Sequence, residues 1–167
     1  MPIPAACDDG ADDASIILRL FRQVHDQIRD EIDDLDDEGL NWRPWDGANS
    51  VAVVITHLIG SEAETVLCVA GLPCERNRDG EFSHPRQTRA DVLARLDRAD
   101  LLLTDVATLI TEERLRASVA LPTLPPEERR PGITWLVGNY GHSREHVGHI
   151  QLTRDLQRRS DGRSSSF

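Results

Sequence analysis

Three of the six histidines in this 167-residue chain fall in the single segment Gly141-His142-Ser143-Arg144-Glu145-His146-Val147-Gly148-His149-Ile150-Gln151. On a helix, His142 and His146 stand a little over one turn apart on the same face, so two imidazoles can converge on one ion. His149 shares that face but sits about 10 Å along the axis from His142, at 1.5 Å rise per residue, too far to join both. A third ligand must come from another helix. His57 is the candidate, a lone histidine in the apolar run Val53-Val54-Ile55-Thr56-His57-Leu58-Ile59. Three neutral imidazoles plus a water suit one divalent first-row metal ion such as zinc, nickel or iron. Such a site lowers the pKa of a bound water or thiol and polarises a substrate oxygen. Because imidazole must be neutral to bind, the ion is expected to be lost below about pH 6. A lone buried histidine is more often a hydrogen-bonded core residue, and HxxxH alone is a weak signal. The combination on two core-facing helices is what carries the metal reading. His25, in the first helix, and His84, beside Pro85, are assigned to structure or solvent. Around the site stand Glu62 and Glu64, downstream of His57 on the same helix, Arg76 and Arg78, whose guanidinium groups could hold a substrate carboxylate, and Asn139, one turn before His142.

Positioning these residues calls for helices. Ile17, Leu20, Phe21, Val24, Ile28, Ile32 and Leu35 recur at helical spacing and predict an amphipathic helix over about 13–36. Leu40-Asn41-Trp42-Arg43-Pro44-Trp45 reads as an ordered connector anchored by its tryptophans. Asn49-Ser50 caps a second helix from Val51 to about Val69, stopped by Gly71-Leu72-Pro73. It is apolar on most of its surface and therefore central, and one of its faces is expected to meet a partner chain in a two-fold homodimer. The polar stretch Cys74 to Gln87 reads as a loop. Thr88 with Asp91 resembles a capping box opening a third helix over about 89–113. A proline-bearing connector then leads to a fourth, over about 133–158. No convincing alternating strand pattern appears, so the expected fold is all-α: a single-domain four-helix bundle over residues 13–159, between a flexible acidic N-terminus (1–12) and a flexible tail (160–167).

Composition narrows the partners. A formal charge of −10, from 29 acidic and 19 basic residues, with no basic run, argues against nucleic acid and for a small-molecule substrate. No apolar run is judged to approach the roughly 20 residues of a membrane span, and the first residues lack the pattern of a signal peptide, so no membrane association and a cytoplasmic location are expected. Cys7, Cys68 and Cys74 have no paired spacing and are expected to be reduced thiols.

Asn49-Ser50-Val51-Ala52, then Thr56-His57-Leu58 and Glu62, then Arg76-Asn77-Arg78-Asp79-Gly80-Glu81-Phe82, then His142-x-x-x-His146-x-Gly148-His149 together resemble the DinB/YfiT-like superfamily of metalloenzymes, over about residues 14–158. The most specific part is the ordered pairing of a helix-two histidine with a helix-four HxxxHxG motif. The resemblance implies a four-helix bundle, commonly homodimeric, whose motif histidines His57, His142 and His146 bind a divalent metal. His149 stands where many members carry Gln and is not implied to be a ligand, although it could support one. The activities known in such proteins are those of transferases and isomerases that use low-molecular-weight thiols such as mycothiol or bacillithiol. The expected function is therefore that of a metal-dependent enzyme, a low-molecular-weight-thiol S-transferase or a hydrolase. The alternative is a non-catalytic, metal-stabilised, dimerising helical bundle. A fourth protein ligand, Glu145 or His149 turned inward, would favour that alternative, because structural zinc sites are normally closed.

Overall fold

A computed structural model describes residues 12–83 and 86–164, with side chains as far as Ser160. Asp12 opens the first helix, α1 (Asp13–Glu31), by accepting from the Ser15 N–H at 2.7 Å. Ile17, Leu18, Phe21, Val24 and Ile28 form its buried stripe. The helix stops at Glu31, short of the expected end near residue 36. Asp30, Glu31, Asp33 and Asp34 crowd negative charge at a C-terminus, where the helix dipole disfavours it. Asp36 instead caps a new short helix, α2 (Asp37–Asn41), accepting from the Gly39 N–H at 2.8 Å. The expected tryptophan anchoring is half right, since Trp42 is half-buried but Trp45 is 66% exposed.

Ser50 caps α3 (Val51–Ala70) as expected, and Gly71, at φ 83°, ends it in the left-handed conformation that favours glycine. The four long helices are α1, α3, α5 (Arg89–Val106) and α7 (Gly132–Ser164). α3 packs between α5 and α7, and α1 packs against the same two, so α1 and α3 face each other across the core. This corrects two expectations drawn from α3. At 20 residues and a mean hydropathy of 1.5 it is long and apolar enough to cross a membrane by length and composition, and 72% of the stretch is buried inside the bundle. Its apolar faces are thus covered within one chain, which removes the argument that a partner must cover them.

The connectors hold more structure than their composition suggested. α4 (Arg78–Phe82) lies inside the expected loop. α5 begins at the Thr88–Asp91 capping box but ends at Val106, and Thr111 caps a separate helix, α6 (Glu112–Arg116). The proline-bearing connector forms an antiparallel ribbon, β1 (Ser118–Ala120) with β2 (Arg129–Pro131), in which Val119 faces Arg130. Strands of three residues are too short to reveal alternation. Trp135 fixes the ribbon to α7 by donating its indole N–H to the Val119 carbonyl at 2.9 Å. Of the two segments expected to be flexible, Asp12 caps α1 and α7 continues to Ser164; residues 1–11 and 165–167, and His84, lie outside the described residues.

Two apolar clusters fill the bundle, one around Ile28, Leu58, Leu96 and Ile150, the other around Phe21, Val66, Leu103 and Leu136. Near their junction lies a buried polar bridge. His25 of α1, fully buried, places Nε2 3.0 Å from Glu62 of α3 and Nδ1 2.7 Å from Asp100 of α5. Arg29 closes the group on the other oxygen of Asp100 at 2.6 Å. Burial opposes a charge on His25, yet the hydrogen bonds and charges of Glu62 and Asp100 outweigh it and raise its pKa above 6.5. His25 is therefore structural, as expected. Glu62 faces away from His57 and takes no part in a metal site.

A histidine whose pKa is raised on folding contributes stability that is complete below its unfolded pKa, about 6.5, and is lost as pH rises through the higher folded value. Thermal melts should therefore show the parent chain losing stability above pH 6.5. His25→Gln should abolish that component and, by leaving Glu62 buried without its partner, cost about 3–5 kcal/mol. Parallel pH profiles in the two proteins would refute the bridge.

Candidate metal centre

His57 reaches the site from α3, and His142 and His146 from α7, all with Nε2 inward. His142 Nε2 stands 3.2 Å from His57 Nε2 and 3.1 Å from His146 Nε2. The rings are mutually edge-on, at 83° in each pair. Two nitrogens on one tetrahedral zinc, each at 2.0–2.1 Å, lie about 3.3 Å apart, so the observed spacing fits a shared ion. Among the described residues no fourth His, Cys, Asp or Glu joins the group. Glu145 is exposed, and the exposed His149 meets the outer side of His146, Nδ1 to Nδ1 at 3.2 Å. Burial, with the neighbouring imidazoles, lowers the pKa of His142 and pushes that of His146 down to about 4. In the metal-free chain His146 is thus already neutral at ordinary pH.

Glu81 governs His57. Its Oε2 lies 2.9 Å from His57 Nδ1, while Arg76 donates to both of its oxygens, at 2.7 and 2.8 Å. Burial disfavours the Glu81 carboxylate, but the bonds from Arg76 and His57 prevail and hold its pKa below the usual range. A carboxylate only accepts, so Nδ1 carries the proton and Nε2 keeps a lone pair for metal. Arg76 also lies 3.3 Å from Nδ1, a longer approach than its bonds to Glu81. The carboxylate reaches this place through a gap in α3: a Cβ on Gly60 would stand 2.1 Å from Glu81 Oε1. Asn77 caps α4 on the Gly80 N–H at 2.9 Å and so sets the turn that presents Glu81. Neither Gly60 nor Glu81 was given a role from the sequence. The available signal was a glycine inside an apolar helix, a choice that costs about 1 kcal/mol against alanine and calls for a packing reason.

The cluster opens on a cavity of about 530 Å³ between α3, α7 and the chain beyond β1, whose walls include His57, His142, Arg78, Arg130, Thr123 and Asn139. The expected surroundings divide. Glu62 belongs to the distant bridge. Glu64, buried, fixes one wall by accepting from the Thr123 N–H and hydroxyl at 2.9 and 2.8 Å. Arg76 is held by Glu81 and by Glu64, at 3.0 Å for the latter, and has no guanidinium face left for a substrate carboxylate. Arg78 lines the cavity, its guanidinium 5.6 Å from the centre of the Phe82 ring, which in turn rests on His57. Asn139 donates to Ser61 Oγ at 2.9 Å, and its Oδ1 has no partner among the described residues. Cys68 and Cys74 are half-buried free thiols outside the cluster, and burial pushes Cys68 up to about 11, so neither is primed as a nucleophile.

A helical bundle with two diagonal pairs of long helices and a three-histidine cluster on the side of its core defines a class. The chain matches the DinB superfamily over residues 3–150 and belongs to it. Among solved structures it is similar to YfiT from Bacillus subtilis, described as a probable metal-dependent hydrolase with an unusual four-helix bundle topology. The TM-score is 0.67 at 17% identity, over 96% of this chain and 93% of that one. It is also similar to the DinB-like protein YjoA from Bacillus subtilis, with a TM-score of 0.60 at 16% identity, over 85% of this chain and 92% of that one. At these identities the likeness speaks for the fold. No curated protein matches the sequence.

Two outcomes are expected. Gly60→Ala should leave the helix intact but displace Glu81, and Glu81→Gln should remove the charge on His57 Nδ1. Each should weaken metal binding by about 10–100-fold, the range for residues that orient ligands, as read by competition with a chelating dye. Unaltered affinity in both variants would show that Glu81 does not matter to the metal. In metal-free protein, the ring protons of His146 should titrate near pH 4 by NMR. The pH at which metal is lost then falls below the value near 6 expected for ordinary histidines.

Proposed function

We propose that this chain is a divalent-metal enzyme, with His57, His142 and His146 holding one ion of the zinc, nickel or iron type beside a cavity that takes a small anionic molecule. The observation that carries this reading is the convergence of three Nε2 atoms, with no fourth protein donor among the described residues, at the wall of that cavity. A bound ion supplies Lewis acidity and lowers the pKa of a coordinated water or thiol. The protein's own residues do the rest. Glu81 keeps the His57 tautomer, Arg78 offers positive charge to an anionic group, and Asn139 offers Oδ1 to a donor. The reaction is hydrolysis, or transfer to a low-molecular-weight thiol brought as co-substrate, since Cys68 and Cys74 lie outside the cluster. YfiT's description as a probable metal-dependent hydrolase supports the first course. The acidic net charge supports a small molecule over nucleic acid as the partner.

A purely structural metal is the competing reading, and the packing argues against it. The bundle is closed by two apolar clusters and the His25 bridge, none of which involves His142 or His146. Protein purified without a histidine tag should carry close to one metal ion per chain, and His142→Ala or His146→Ala should remove most of it. Chelation should leave the far-ultraviolet circular dichroism unchanged. In cobalt-loaded protein, a small thiol or hydroxamate should alter the visible spectrum, and the thiol should add a sulfur-to-metal charge-transfer band. Collapse of helicity on chelation, with a cobalt spectrum indifferent to every thiol and hydroxamate tried, would replace the enzyme by a metal-stabilised scaffold.

A further inference from the structure

A second cavity, of about 560 Å³, lies behind the Arg76–Glu81 pair, between α3, α5 and the segment from Pro73 to Glu81. Arg76 and Glu64 border both cavities, so they form the partition between this space and the metal side. One wall is apolar, built from Ile59, Ala63 and Leu67 of α3, with Leu102 of α5 at its edge. The other carries Arg95 and Arg98, one turn apart on α5.

Arg95 is unusual in a chain with a ten-charge acidic excess, and the exposed Arg98 stands beside it. Neither makes a hydrogen bond or ion pair among the described residues, and Arg95 Nε is buried without a partner. The carboxylates whose charges act on Arg95 are Asp91 and Glu81, and neither is hydrogen-bonded to it. Asp91 holds the Thr88 N–H at 3.0 Å and the Thr88 hydroxyl at 2.7 Å. Glu81 is held between Arg76 and His57. Glu75, the remaining acid of the lining, is exposed. Burial and the Arg98 charge both oppose the charge on Arg95, so the empty arrangement is electrostatically unfavourable by itself. Arg98 is exposed and hydrated, but the fold gains nothing from burying the Arg95 Nε without an acceptor, whereas a site that binds an anion requires such a donor with a second cation beside it.

We propose that this cavity is a second ligand site, separate from the metal centre, for a small organic carboxylate whose charged end lies on Arg95 and Arg98 and whose apolar body lies on Ile59, Ala63, Leu67 and Leu102. The planar fork of each guanidinium matches a carboxylate, and the apolar wall opposite selects a ligand with several carbons over a bare anion.

Octanoate is a suitable probe, titrated calorimetrically into the full-length chain with metal bound and into the His142→Ala/His146→Ala double variant. One octanoate per chain should bind in both, because the site does not use the metal. Arg95→Gln and Arg98→Glu should each weaken binding ten-fold or more. Acetate, inorganic phosphate and octanol should bind at least ten-fold more weakly than octanoate, as each lacks one half of the recognition. Without ligand, Arg95→Gln should melt at or above the parent temperature, since it removes an unpaired charge that a structural arginine would not leave unpaired. Loss of octanoate binding in the histidine double variant would place the carboxylate on the metal and overturn the proposal. Binding that ignores both arginine substitutions, phosphate binding as tight as octanoate, or a marked fall in melting temperature for Arg95→Gln would overturn it equally.

Discussion

An imidazole can hold a metal only through a nitrogen without a proton, and for His57 that condition is imposed by the carboxylate of Glu81 on its other nitrogen. The constraint propagates outward. A buried carboxylate needs a counter-charge, and Arg76 provides it on both oxygens. Arg76 in turn needs a second acceptor, and Glu64 provides it while fastening the chain at Thr123. The carboxylate must also fit against α3, which is why that helix carries Gly60 where alanine would suit its propensity better. One proton position on one ring thus accounts for a glycine, an arginine, two glutamates and the short helix α4.

The bundle and the cluster are held by different means, and this separation lets the site be polar without weakening the fold. Apolar packing and the His25–Glu62–Asp100 bridge hold α1, α3 and α5 together. The imidazole cluster lies toward α7, on the other side of α3. Their titrations run in opposite directions. Two carboxylates raise the pKa of His25, whereas burial and three neighbouring imidazoles lower that of His146. In the metal-free chain, acid below about pH 6.5 charges the unfolded His146 before the folded one, and stability falls there; above that pH the His25 contribution is the one that fades.

What was legible in the sequence follows from the range over which each signal acts. The i, i+4 spacing of His142 and His146 is local to one helix, and the isolation of His57 in an apolar run is local to another, so the grouping that the structure displays could be anticipated. The long helices and the Thr88 capping box were legible for the same reason. Trp45 and the reach of α1 were misjudged because burial and charge at a helix end depend on neighbours distant in sequence. Glu62 shows the limit most clearly. Its position five residues after His57 turns it by about 140°, at 100° per residue, away from the metal face and toward α1. That rotation was available, but the partner waiting across the core, His25, was not.

The same limit applies to the arginines, and there it bears on function. The chain's nineteen basic residues are all arginine, and composition alone makes them equivalent. In the folded protein they separate by what surrounds them. Arg76, at the site, is saturated by two carboxylates and serves as a structural counter-charge. Arg78, two residues on, lies over the Phe82 ring and is paired with no carboxylate among the described residues. An arginine near a metal site is therefore evidence of substrate binding only when its own carboxylates have been accounted for.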